Sequence, residues 1–247
     1  MWTYPKIVAH RGGGILAPEN TLAAMQCGLD YGFHAVEFDV MLSQDGVPVL
    51  MHDPEFGRTV PGTGEVCRTL VRDLLLMDAG SWMAPLFSEV RVPTYEQVFA
   101  FCQRHGIWMN VEIKPAPGFD AQTGHEVARL TRKLMAGSGA TARAPLFSSF
   151  SFEALMCAKQ SAPEIARGYL IDHVDDDWHK TLQQLDAVAL HTNQGHLTPT
   201  LASQVKAAGY GLFCYTVNSC ERASEILSWG VDGFCTDRID LIPADFA

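Results

Sequence analysis

The sequence predicts an α/β protein, a (β/α)8 TIM barrel that carries a β-hairpin and a small insertion after its second strand. Three observations lead to this reading. Short apolar runs alternate with segments of helical period along almost the whole chain, which means parallel strands with helices packed outside them. Eight such runs remain once one antiparallel return is set aside. The length, 247 residues, is that of a typical single barrel. A doubly wound open sheet is the rival architecture for the same alternation.

The elements follow in order. KIVAH is an apolar strand ending at His10, and HRGGG follows it. In APENT, Pro18, Glu19, Asn20 and Thr21 are the residue types of a helix start, and helical period runs from Glu19 to Tyr31. HAVEFDV is the second strand. After it, Ser43-Gln44-Asp45-Gly46 is far too short for a parallel crossover, which needs about a dozen residues. Asp-Gly marks a tight turn, so Val47 to His52 folds back antiparallel as a hairpin.

Residues 54–93 break the rhythm with Pro54, Gly57, Pro61, Gly62, Gly64, Pro85 and Pro93, and hold one short helical patch from Thr69 to Met77. The segment leaves from the His52 end, so it is expected to rise over the C-terminal mouth of the barrel. Helical period then returns from Tyr95 to His105, before the strand IWMNVEIK. The same alternation continues with Thr123 to Met135, PLFSSF, Phe152 to Gln160, ARGYLI and Asp176 to Leu185. DAVALHT, Pro199 to Ala208, GLFCYTV, Glu221 to Trp229 and VDGFCTD complete it. Residues 1–247 are expected to form a single barrel domain with the 54–93 segment as its insertion.

Composition narrows the function classes. A formal net charge of −10 repels a long polyphosphate backbone, so no nucleic-acid partner is expected. A small anionic ligand needs only a local positive site. No apolar run reaches the roughly 18 residues of a membrane span, and no stable membrane association is expected. MWTYPKIVAH lacks the pattern of a secretory signal. The seven cysteines, at 27, 67, 102, 157, 214, 220 and 235, are an odd number without a C-x-x-C pair. They read as free thiols in a reducing compartment, and the expected location is cytoplasmic. Nothing in the sequence fixes an oligomeric state.

The chemistry gathers at strand ends, where barrel enzymes place their reactive groups. Glu37 and Asp39 sit two residues apart in an otherwise apolar strand, so both carboxylates project from one face. Glu112 and Lys114 repeat that spacing. Three inward carboxylates would repel one another, and a hard divalent cation, Mg²⁺, Ca²⁺ or Mn²⁺, relieves this. An ion-pair network with Arg11 and Lys114 is the competing explanation. Oxygen-only ligation leaves His10 and His52 free for proton transfer. The glycines of HRGGG are expected to let N–H groups approach an anion, while Arg11 forks onto phosphate oxygens.

Taken in order, HRGGG-x3-PENT, E-F-D, the hairpin ending in HD, V-E-I-K and Y-T-V-N resemble the glycerophosphodiester phosphodiesterases. The similarity runs to GVDGFCTD and is nearest the short cytoplasmic bacterial enzymes. The resemblance implies that Glu37, Asp39 and Glu112 hold a divalent metal and that His10 and His52 are the acid and base pair. It implies that Arg11 and Lys114 lie near the phosphate. Tyr215 stands where many relatives have Trp, as an aromatic wall beside the glycerol. The implied partner is a small-molecule glycerophosphodiester, opened through a cyclic phosphate to glycerol 3-phosphate and an alcohol such as choline or ethanolamine. Which imidazole is acid and which is base stays open.

Other candidates receive no role at this point. His191 and His196, in HTNQGH, read as a polar loop at a strand end without acidic partners, and Ser148-Ser149 lacks a nucleophile-elbow context. Two further activities suit the same residues. One is a lysophospholipase D, with the apolar stretch TLVRDLLLMDAGSWMAPLF holding an acyl chain. The other is a sensor that binds the diester without cleaving it.

Overall fold

The computed structural model describes residues 2–138 and 143–246; Met1, 139–142 and Ala247 lie outside the described residues. The strands are β1 (Ile7–Ala9), β2 (Ala35–Leu42), β3 (Pro48–Leu50), β4 (Trp108–Ile113), β5 (Leu146–Ser149), β6 (Ala166–Ile171), β7 (Ala189–Asn193), β8 (Gly211–Tyr215) and β9 (Gly233–Thr236). All but β3 pair in parallel, and the β1–β2 pairing closes them into an eight-stranded barrel. The TIM barrel predicted from the alternation is therefore present.

The helices are α1 (Leu22–Asp30), α2 (Val71–Leu74), α3 (Tyr95–Arg104), α4 (Asp120–Gly137), α5 (Phe152–Ser161), α6 (Trp178–Leu185), α7 (Pro199–Ala207) and α8 (Cys220–Ser228). Several starts are fixed by hydroxyl caps. Thr21, Thr94, Ser151, Thr198 and Ser219 each accept a hydrogen bond from a backbone N–H in the first turn, which satisfies a donor the helix cannot pair. Helix α1 begins three residues later than its period predicts, because Glu19 and Asn20 are turned toward the barrel mouth, Asn20 with φ of 59°.

Strand β2 has two jobs, and its length reflects both. Ala35 to Val40 pair with β4, after which Val40 to Leu42 pair antiparallel with β3. All eight of its residues are buried. The main core lies between the outer barrel face and the helices. Inside the barrel, Val8, Ala35, Trp108, Leu146, Phe213 and Cys235 form an apolar plug, with Trp2 and Tyr4 packed against it. A third cluster unites Met41, Val49 and Met51 of the hairpin region with Val60, Val66, Leu74, Ala79 and Val92. The 54–93 segment thus has an apolar nucleus of its own. No helix among the described residues is long and apolar enough to cross a membrane.

Candidate active site

Register decides which acids meet. Asp39 pairs with Glu112 across β2 and β4, one inward position after Glu37 pairs with Asn110. Carboxylate oxygens of Glu37, Asp39 and Glu112 lie within 4.8 Å of one another, and all three residues are buried. They are not equally compensated. Asp39 receives Asn20 Nδ2 at 2.8 Å on one oxygen and Lys114 Nζ at 3.0 Å on the other. Burial works to raise its pKa, but Lys114 and Arg11 overcome it and hold the carboxyl below the usual range. Glu37 is pushed well above the usual range, by burial first and then by Asp39 and Glu112. Burial, followed by Asp39, pushes Glu112 up to about 7.

This asymmetry is a test of metal fit. Were the cluster only an ion-pair network, Arg11 and Lys114 would satisfy all three acids. Instead Glu37 Oε1 is buried without any partner, and leaving a buried polar acceptor unpaired is expensive. The donor set is all oxygen, which suits a hard divalent cation. The residues present therefore fit such an ion.

Two imidazoles flank the acids. His10 sits at the end of β1 with Nε2 at 3.7 Å from Glu37 Oε2 and Nδ1 at 2.6 Å from Asp237 Oδ1. His52 follows the hairpin and places its Nδ1 at 2.6 Å from Asp53 Oδ1. A carboxylate can only accept, so each Nδ1 carries the proton and each Nε2 is left as the working atom. Burial lowers the pKa of His52; the Asp39 charge opposes this, and Lys114 and Arg11 reinforce it. Both aspartates are themselves held. Asn218 Nδ2 donates to Asp237 Oδ2 at 2.9 Å. Arg58 Nε donates to Asp53 Oδ2 at 2.5 Å, and its other nitrogens reach Glu19 at 2.7 and 2.8 Å.

Arg11 has φ of 51°, in the left-handed region. That turn lets its N–H reach Glu37 Oε2 at 3.2 Å while Nη1 bonds Glu19 at 2.8 Å. Two of the three glycines after it do not offer their N–H groups to an anion as expected. Gly12 and Gly14 donate to the carbonyls of Ala9 and His10, and a side chain at Gly14 would collide with the Asp237 backbone. Gly14 thus lets the β1 loop pack closely against the end of β9, while Gly12 lets it pack against Met25 of α1.

A cavity of about 180 Å³ opens among these groups, lined by both histidines, the three acids, Arg11 and Lys114. Tyr215 and Phe150 form one wall, edge to face at 5.7 Å. Asn110, Ser148 and His191 line it deeper in the barrel. His191 is thus not part of a polar loop at a strand end. It alternates inward with Ala189 and Asn193 along β7, fully buried, with both ring nitrogens unpartnered. Only a glycine at 168 leaves room for its ring. His196 does find an acidic neighbour. With His173 it stacks at 3.6 Å between ring centroids, both against Asp172 on the exposed rim.

All eight residues singled out from the sequence line this one cavity. Glu19, Asn20, Asp53, Arg58, Asn218 and Asp237 were missed. PENT was read only as a helix start, yet Asn20 grips Asp39 twice, its Oδ1 also accepting from the Asp39 N–H at 3.0 Å.

The glycerophosphoryl diester phosphodiesterase family matches residues 10–241. A glycerophosphodiester phosphodiesterase of Caldanaerobacter subterraneus is 30% identical over 94% of this chain and 93% of its own. A phosphodiesterase of Oleispira antarctica, solved in complex with the product sn-glycerol-3-phosphate, superposes with a TM-score of 0.90 at 34% identity. That superposition covers 98% of this chain and 95% of the other. A glycerophosphodiester phosphodiesterase of Agrobacterium tumefaciens gives 0.76 at 27%, covering 96% and 98%.

Proposed function

The chain belongs to the glycerophosphoryl diester phosphodiesterase family, and from that premise we propose that it hydrolyses small glycerophosphodiesters to glycerol 3-phosphate and a free alcohol. Its catalytic groups are His10 and His52, working beside a divalent cation held by Glu37, Asp39 and Glu112. One observation carries this reading: Glu37 Oε1 stands buried and unpaired in a triad of carboxylates beside an imidazole. That the Oleispira phosphodiesterase was solved with sn-glycerol-3-phosphate supports the same product here.

When bound, the cation neutralises charge that grows on the phosphoryl oxygens and activates oxygen nucleophiles near them. Arg11 and Lys114 bind and orient the phosphate and add positive charge beside it. One imidazole takes the proton of the neighbouring glycerol hydroxyl at its Nε2 as that oxygen bonds to phosphorus. The bond from phosphorus to the alcohol breaks, and the leaving oxygen takes a proton from the other imidazole. Water then opens the cyclic phosphate with the two roles reversed, which restores both histidines. Asp237 and Asp53 keep each ring in the tautomer this exchange needs. Tyr215 and Phe150 exclude water along the glycerol wall.

The small, plugged cavity favours a free glycerol end over an acylated one, and therefore glycerophosphodiesters over lysophospholipids. All seven cysteines are free thiols, in keeping with a reducing cytoplasmic setting. The test is to strip the protein with chelator, reload it with Mg²⁺, Ca²⁺ or Mn²⁺, and assay glycerophosphocholine and lysophosphatidylcholine. Glycerol 3-phosphate should appear only with metal and predominantly from the first substrate. Full turnover in chelator, binding of diester without product, or preference for the lipid would each overturn the proposal.

A further inference from the structure

A second groove, about 360 Å³ in volume, shares His10 and Arg11 with the first cavity and is otherwise lined by Ile15, Trp82, Met83 and Asp237 among others. A phosphodiester carries two alcohols on one phosphorus. If the glycerol half lies in the first cavity, whose inner end is plugged, the second alcohol needs space that begins beside the same His10 and Arg11. This groove begins there.

Its chemistry is distinctive. Ile15 and Trp82 are among the large apolar side chains left exposed, at 56% and 43%. The Trp82 indole is pinned by its Nε1 donating to Ala79 O at 3.0 Å, so an aromatic surface stands ready at little entropic cost. Two carboxylates also line the groove. Glu19 is consumed by Arg11 and Arg58. Asp237 is not: among the described residues no Lys or Arg lies within ion-pair distance of it, and its carboxylate meets only His10 Nδ1 and the Asn218 amide. An indole, a thioether and a carboxylate without a Lys or Arg partner suit a soft organic cation.

We propose that this groove is the subsite of the leaving alcohol and that it selects alcohols bearing a quaternary ammonium group, with Trp82 as the cation surface and Asp237 as the counter-charge. The assignment rests on the phosphodiesterase reading above. It also gives the 54–93 segment a task, since Trp82 and Met83 come from it.

The test compares glycerophosphocholine with glycerophosphoglycerol, whose leaving alcohol is uncharged, on wild-type, Trp82→Ala and Trp82→Phe proteins. Trp82→Ala should lower the choline-to-glycerol ratio of kcat/KM by about five- to tenfold, mainly through KM for the choline diester, and Trp82→Phe should recover part of it. An unchanged ratio overturns the assignment. So does an equal loss on both substrates, which would mark Trp82 as structural only. Calorimetric Kd values for the two diesters on the same metal-loaded proteins provide a readout independent of turnover. If the wild type cleaves neither diester, the phosphodiesterase proposal fails, while the shift of the Kd ratio in Trp82→Ala still decides the groove.

Discussion

The two histidines have the same local geometry and different foundations. Each Nδ1 meets an aspartate oxygen at 2.6 Å. His10 is mounted on the barrel itself: Asp237 follows β9, and its carboxylate is fixed by Asn218, beyond the end of β8. His52 is mounted outside it, on Asp53 after the hairpin, which is held by Arg58 of the 54–93 segment, whose guanidinium in turn spans to Glu19. One mounting is built from strand ends that the whole barrel stabilises. The other depends on a half-exposed arginine and a peripheral loop. Identical positioning of a reactive ring can thus be inherited from the scaffold or assembled by an appendage.

The largest effects should ignore that difference. His10→Ala and His52→Ala should each lower turnover by about a thousandfold while leaving metal affinity intact, whereas Glu37→Ala should abolish tight metal binding measured by calorimetry. Equal metal affinity in His52→Ala and Glu37→Ala would contradict the division between proton transfer and ligation.

Next come the aspartates. Asp237→Ala and Asp53→Ala should each reduce kcat by about a hundredfold, through a misaligned ring, with a smaller change in KM. Arg58→Ala should cost about five- to tenfold in kcat, and Arg58→Lys should recover part of it, with little change in melting temperature because the side chain is 44% exposed. The double variant Asp237→Ala/Arg58→Ala should be additive if the mountings are independent. Marked non-additivity would dissolve the comparison.

A stability effect sharpens it from the metal side. Glu37 and Glu112 have folded pKa values raised above their unfolded ones, mainly by burial. Such groups stabilise the fold fully below the unfolded pKa, and the contribution is lost as pH rises through the folded value, about 7 for Glu112. His52 and His191, whose pKa values burial lowers, act in the opposite sense, so the effect is read against Glu112→Gln: between pH 5 and pH 8 metal-free wild type should lose several degrees of melting temperature relative to that variant, and saturating metal should close most of the gap. The same pH dependence of melting temperature in metal-free wild type and Glu112→Gln would refute the uncompensated triad. Smallest of all, Tyr215→Phe removes a buried hydroxyl that has no partner and should change kcat/KM by less than about threefold.

Much of this site was legible in the chain because it depends on local period. Two-residue spacing in EFD and VEIK fixed which side chains share a face, and the short link through Asp45-Gly46 identified the hairpin that brings His52 back. What was not legible depends on distant pairing. Asp237 is 227 positions from His10, and nothing in TD marks it as a partner of HR. Glu19 and Asn20 fit a helix start well enough that no second role was sought, although α1 is capped by Thr21 alone. His191 was misread for a different reason. DAVALHT has the pattern of a strand, and its alternation continues to the end, where it places His191 inward with Ala189.

The apolar nucleus of the 54–93 segment includes Met41, Val49 and Met51, which border the hairpin leading to His52. Local opening of that segment would therefore disturb one imidazole while the eight-stranded scaffold stayed closed. Heat inactivation should accordingly precede the calorimetric transition of the barrel, and a protease that nicks the segment should silence the enzyme without releasing an unfolded chain.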